Sequence, residues 1–185
     1  MNTSAQKSSN AGPVTAGVLV IGGLVYGSDR LMDFLGAWEE GSKRQLVVYA
    51  DKLAGGLPTV CKGLTRHVTT TPIIVGERWS EEKCNREERA AVIVVQYQLR
   101  PCFKLTPPQA VFDTGTSHAW NLGARRTCGS QAMQAWNAGD WTLGCRRLLQ
   151  SDGGKFVWVY AGGVFVPGLK NRRTAERNWC MEAAK

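Results

Sequence analysis

The chain has 185 residues, of which 43% are hydrophobic and 21% charged, enough apolar side chain to bury one domain and too much for a chain disordered throughout. Its net charge of +8 and pI of about 9.4 would draw it to a polyanion: nucleic acid, an anionic membrane face or an acidic wall polymer. The basic pairs Arg125-Arg126, Arg146-Arg147 and Arg172-Arg173 are separated by apolar helical segments and come with no nucleic-acid-binding motif, so nucleic acid is not the expected partner.

Residues 1–10 are polar with Lys7 as their one charge, and no charged residue occurs from Ser8 to Ser28. The centre of that stretch, Ala16 to Gly27, is apolar but rich in glycine. About 20 uncharged residues just span a bilayer as a hydrophobic helix. Lys7 before it and Asp29, Asp33, Glu39 and Glu40 after it would leave the N-terminus in the cytoplasm and place the rest outside. A cleaved signal peptide needs a small-x-small site, and only a poor one lies near Tyr26-Gly27-Ser28. A buried soluble helix is disfavoured by the glycines, at roughly 1 kcal/mol each relative to Ala. The third reading is a weak, reversible inner-membrane anchor over residues 8–28. The expected partition is an N-terminal segment, 1–28, followed by one domain, 29–185.

Leu31, Phe34, Leu35 and Trp38 recur at helical spacing, which predicts a short amphipathic helix closed by Glu40 and stopped by Gly41. Val47, Val48 and Tyr49 read as a strand, and Gly55-Gly56 with Pro58 as the turn of a small hairpin. Glu40 on the helix end and Asp51 and Thr59 on the hairpin would then sit at the edge of a cleft. Glycoside hydrolysis needs such a set: one carboxyl group that stays protonated for the leaving oxygen, and a second that activates water or acts as nucleophile. A helix end beside Trp38 partly desolvates Glu40 and favours its neutral form. Spacing alone does not separate this from two solvated surface acids, which is the plainer reading.

Further along, Ser80-Glu81-Glu82 is a capped helix start, and the run through Val92-Ile93-Val94-Val95 to Leu99 reads as a long helix ending at Pro101. Pro107-Pro108 opens the next, from about Gln109 to Asn121, with His118 on its inner face and Gly123 as its stop. Short helices follow near Ser130–Asn137 and Trp141–Gln150, broken at Ala138-Gly139-Asp140. Phe156 to Tyr160 alternates as a strand does, and a last helix is expected over about Lys170–Glu182. A lone His on an apolar face is a packed core residue far more often than a catalyst. Cys61 with His67 or His118 as base would be a nucleophile pair, but nothing around Cys61 is of an activating kind.

The six cysteines, at 61, 84, 102, 128, 145 and 180, include no Cys-x-x-Cys, and neither histidine stands at metal-ligand spacing from them, so no metal site is expected. An even number in an exported chain points to disulfides. Fifteen pairings are possible and the sequence does not decide among them; the pairing adopted as an expectation is Cys61 with Cys84, Cys102 with Cys128, and Cys145 with Cys180.

The pattern Glu40-Gly41, Tyr49-x-Asp51, Thr59-Val60-Cys61-x-Gly63, continued through Ser117-His118-Ala119-Trp120-Asn121-Leu122-Gly123-Ala124 and Gly168-Leu169-x-x-Arg172-Arg173-x-x-Glu176, resembles the phage-type lysozymes, endolysin muramidases with a Glu/Asp/Thr triad. The resemblance covers roughly residues 30 to 182. It departs in spacing: ten residues separate Glu40 from Asp51 and seven separate Asp51 from Thr59, where the family usually has eight and five, which fits a lengthened hairpin. The resemblance implies an α+β, lysozyme-like fold with a small hairpin lobe, a mostly helical lobe and the substrate cleft between them, and an irregular aromatic-rich loop from the Phe156–Tyr160 region into the last helix. Glu40 would be the general acid, Asp51 the carboxylate that positions water, and Thr59 the hydroxyl that helps hold it. Arg172, Arg173 and Asn121 are candidates for substrate binding or for supporting the acid, because an Arg near a catalytic Glu tunes its pKa and pins it. A subset of the family carries a Gly/Ala-rich signal-arrest-release segment like residues 8–28. The resemblance therefore implies peptidoglycan as substrate, host lysis as role, action as a monomer without a cofactor, and a domain tethered in the periplasm until release. No cysteine precedes Cys61, so activation by thiol exchange within the anchor is not expected. A non-catalytic peptidoglycan-binding protein, and a lytic transglycosylase that needs the Glu but no water-positioning pair, stay open beside this reading.

Overall fold

A computed structural model describes residues 19–39, 44–52 and 55–183. The helical lobe is built around α3 (Gln109–Leu122), in which every residue from Val111 to Ala119 is buried. A helix hidden on all sides can tolerate Thr114 and Thr116 only because their hydroxyls bond back to the helix carbonyls of Ala110 and Phe112. Around it stand α2 (Glu81–Leu99), α4 (Ala124–Cys128), α5 (Gln131–Asn137), α6 (Trp141–Arg147) and α7 (Pro167–Glu182). Ser80 caps α2 by accepting the Lys83 N–H, as the sequence predicts. The close approach of α5 and α6 requires Gly144: a Cβ there would lie 2.1 Å from the Trp136 ring.

The small lobe is the antiparallel pair β3 (Gln45–Asp51) and β4 (Leu57–Cys61). Its inner face, Val48 and Val60 with Leu64 and Trp79, makes a separate small core against α2. Helix α1 (Asp29–Glu39) buries Leu31 and Leu35 against Val92 of α2 and Trp179 of α7. Trp120, near the end of α3, packs against both of these cores and so marks where the lobes meet. This is the α+β, lysozyme-like arrangement expected, with a hairpin lobe on a helical one.

All six cysteines are paired as expected: Cys61–Cys84 ties β4 to α2, Cys102–Cys128 ties the turn after α2 to α4, and Cys145–Cys180 ties α6 to α7. Each closes a loop of 23 to 35 residues, worth about 3 kcal/mol in the chain-entropy account.

Three regions differ from expectation. The hydrophobic helix expected across the N-terminal segment is not shown. Residues 1–18 of that segment lie outside the described residues, and from Leu19 it is a hairpin, β1 (Leu19–Ile21) and β2 (Leu24–Tyr26), turned by Gly22 and Gly23 at φ 58° and 79°. No helix among the described residues is long and apolar enough to cross a membrane. The strand read at 156–160 is instead a second two-residue hairpin, β5 (Tyr160–Ala161) and β6 (Val164–Phe165), because Gly162-Gly163 with positive φ supply a two-residue turn later in the run. Helix α7 begins at Pro167 rather than near Lys170, proline being well suited to a first turn.

The N-terminal hairpin is packed, not appended. Leu24 and Tyr26 join the main core, and Tyr26 meets Phe112 edge-on. Gln109 grips Val25 through both backbone groups, and Ser28 donates to Asp113, 2.8 Å. Asp113 is only 2% exposed, and burial pushes its carboxyl up to about 6, against the opposing pull of Ser28, Gln109 and Arg30. An acid raised above its unfolded value near 3.9 binds more protons folded than unfolded, so its burial costs progressively more as pH rises from about 4 through 6, up to about 3 kcal/mol. Thermal unfolding of Asp113→Asn against the parent across pH 4 to 7 should show the variant gaining relative stability over that window. A difference independent of pH would refute the assignment.

Candidate active site

The sequence-derived site residues fall into two groups on either side of the Trp120 contact. The first is on the hairpin. In the β3–β4 register Asp51 faces Leu57 and Tyr49 faces Thr59, so Asp51 and Thr59 are diagonal neighbours on one face, a relation that places the two residues about 7–8 Å apart with their Cβ atoms somewhat closer. The Gly56 N–H donates to the Asp51 carbonyl at 2.7 Å, and Leu57 and Pro58 already belong to β4. Thr59 is buried, and its hydroxyl donates to the Leu57 carbonyl at 3.0 Å, which fixes the rotamer and leaves the oxygen's lone pairs free to accept. Asp51 is half-buried.

The second group lies between α3 and α7. Arg173 and Glu176 are fully buried and Arg172 nearly so. Ser117, Arg172 and Arg173 all donate to Glu176 Oε1, at 2.7, 3.3 and 3.1 Å, and Arg173 Nη2 also reaches Asn121 Oδ1 at 3.1 Å. Burial pushes the Glu176 carboxyl up and the Arg173 guanidinium down to about 10, the mark of an ion pair whose desolvation competes with its attraction. Three donors on one oxygen oppose that upward push on Glu176. Among the described residues Arg173 Nε and Nη1 have no hydrogen-bond partner.

Glu40 and Gly41 lie outside the described residues, as does the side chain of Glu39. Helix α1 runs to Glu39, so the described structure ends where the predicted acid begins. His118 is fully buried, its Nδ1 2.9 Å from the Thr127 hydroxyl and its ring edge-on to Trp158. Burial, then the charges of Arg173 and Arg172, hold it well below its ordinary value, so it is a neutral core residue, as its place on the inner face of α3 suggests. Cys61 is in a disulfide and offers no thiolate. Among the described residues no cluster of His, Cys, Asp or Glu could hold a metal. The role of Ser117 as third donor was not foreseen; a signal was available in Arg172, Arg173 and Glu176 themselves, whose spacing on one helix puts two cations over one buried anion that needs a further partner.

Residues 39–176 match the Phage lysozyme family, and the chain belongs to it, a family of peptidoglycan-lytic proteins. Its relatives include a SAR-endolysin of bacteriophage PS119, 30% identical over 126 residues that cover 68% of this chain and 69% of that protein. Among solved structures, a P22 lysozyme mutant superposes with a TM-score of 0.68 at 21% identity over 83% of this chain and 97% of that one. The active form of the P1 phage endolysin Lyz gives 0.63 at 22%, covering 84% of each. At these identities the structural likeness is one of fold.

Proposed function

We propose that the protein is an endolysin muramidase that hydrolyses the β-1,4 bond between N-acetylmuramic acid and N-acetylglucosamine in peptidoglycan, acting as a monomer in host lysis. The observation that carries the reading is the hairpin register, which sets Asp51 and Thr59 diagonally on one face. There a carboxylate and an oriented hydroxyl oxygen can hold one water between them. Glu40 protonates the glycosidic oxygen as the bond to the anomeric carbon breaks, and Asp51 with Thr59 directs that water to the carbon. Arg173, whose Nε and Nη1 have no partner among the described residues, pins Glu40 from the helical lobe; Arg172 braces the Glu176 and Ser117 cluster, and Asn121 orients Arg173.

Residues 8–28 tether the chain in the inner membrane with the 29–185 domain in the periplasm, and their release lets the cleft assemble. Support comes from the uncharged stretch, the acids that follow it, and the SAR-endolysin relative.

Digestion of purified Gram-negative peptidoglycan by the full chain tests the bond. The expected products carry new reducing N-acetylmuramic acid ends. Anhydro-muramic ends would make the protein a lytic transglycosylase, and binding without cleavage would make it a wall-binding protein.

A further inference from the structure

The open end of the catalytic hairpin is held by one face of α2. Cys84, Asn85 and Glu88, with Glu81 one turn before them, lie on that face. Cys84 is bonded to Cys61, the last residue of β4. Arg44, which immediately precedes β3, donates to Glu81, Asn85 and Glu88. Cys61 takes a left-handed φ of 57°, which turns the chain off the ladder, and the Lys62 N–H released by that turn donates to Glu88 Oε1 at 3.1 Å. The two oxygens of Glu88 are thus divided: Oε1 takes the backbone after β4 and Oε2 the guanidinium before β3.

From this we infer that Glu88 is a positioning residue for the reaction, a bracket that sets the angle at which the β3–β4 hairpin presents Asp51 and Thr59 to the cleft. The inference rests on the hydrolase reading above. Two features set it apart from an ordinary surface pair. Both partners are largely out of water, with side chains 19% and 12% exposed for Arg44 and Glu88. The Lys62 bond is also to the backbone and so fixes the strand rather than a flexible side chain. The disulfide and the small core hold the hairpin's inner face, but neither ties together the two chain ends at its open end. A carboxylate bonded to both ends fixes their spacing and so the hairpin's tilt.

A glycosidase whose water-holding pair swings by about 1 Å loses on the order of a hundredfold in rate while still binding its glycan. In initial-rate assays on solubilised glycan strands, well below the unfolding midpoint, Glu88→Ala should therefore lower kcat by about ten- to a hundredfold with KM within about threefold. Glu88→Gln keeps an acceptor for the Lys62 N–H and a neutral bond to Arg44, and should recover most of that loss. A merely structural Glu88 would lower the melting temperature of Glu88→Ala but leave kcat of the folded protein unchanged, and that result overturns the inference. Should Glu88→Ala not fold, Arg44→Gln removes the other arm: a loss of kcat at unchanged KM supports the bracket, and parental kcat refutes it. Failure of the hydrolase reading looks different, because the parent protein itself would then release no reducing ends.

Discussion

A chain beginning at Asp29 is expected to lose at least about 5 kcal/mol of stability against one beginning at Leu19. Ten residues would then decide whether the domain folds, since a whole domain holds roughly 5–15 kcal/mol. Leu24 and Tyr26 are buried to 2% and 3% exposure, and removing a large buried side chain costs about 2–5 kcal/mol each. Polar losses add to this. Gln96, fully buried in α2, would lose the Gly27 N–H it accepts at 2.7 Å, Asp113 would lose Ser28, and Arg89 would lose the Gly27 carbonyl. Ser28 also caps α1, its Oγ accepting the Leu31 N–H at 3.2 Å, so the helix leading to Glu40 would start without its cap. Urea unfolding of the 19–185 and 29–185 chains reads the difference directly. Coincident midpoints would mean that the N-terminal hairpin only decorates the domain. On the proposed tether the consequence is larger: Leu24 and Tyr26 cannot be in a bilayer and in the core at once, so membrane residence withdraws the same residues that complete the fold.

The elements legible in the sequence were those whose signal is local. Ser80 followed by two acids, Pro108 before Gln109, and Gly123 after Leu122 each announce a helix boundary by its own chemistry, and α2 begins, and α3 begins and ends, where those residues imply. The N-terminal hairpin was not legible, because Leu19 to Tyr26 is as apolar as an anchor and only packing against Gln109, Phe112 and Gln96 in a different part of the chain makes it a pair of strands. The same holds at the site. Asp51, Thr59, Arg172 and Arg173 stood out as motif residues, whereas Glu88 sits in a run of acids and bases on α2, Glu81 to Arg89, where nothing local distinguishes it. Its role comes from two partners 44 and 26 residues away in sequence.

Glu40→Gln in the 19–185 chain should reduce the clearing of outer-membrane-permeabilised Gram-negative cells by about 10²–10⁴-fold, the usual contribution of a positioned general acid. Glutamine matches glutamate in shape and can still accept from Arg173, so folding and glycan binding are expected to persist and only proton delivery to be lost. The neighbouring Glu39→Gln is the control, because Glu40, not Glu39, directly precedes Gly41; it should clear within about threefold of the parent if Glu39 takes no part in proton transfer. Equal clearing by Glu40→Gln and the parent would remove Glu40 from the mechanism. If Glu39→Gln then proved inactive, the acid would be the last residue of α1; if both variants cleared, lysis would come from the chain's net positive charge acting on membranes and would collapse with added salt. A loss confined to Glu40→Gln, with cooperative unfolding unchanged, leaves proton transfer to the glycosidic oxygen as the one function that the substitution removes.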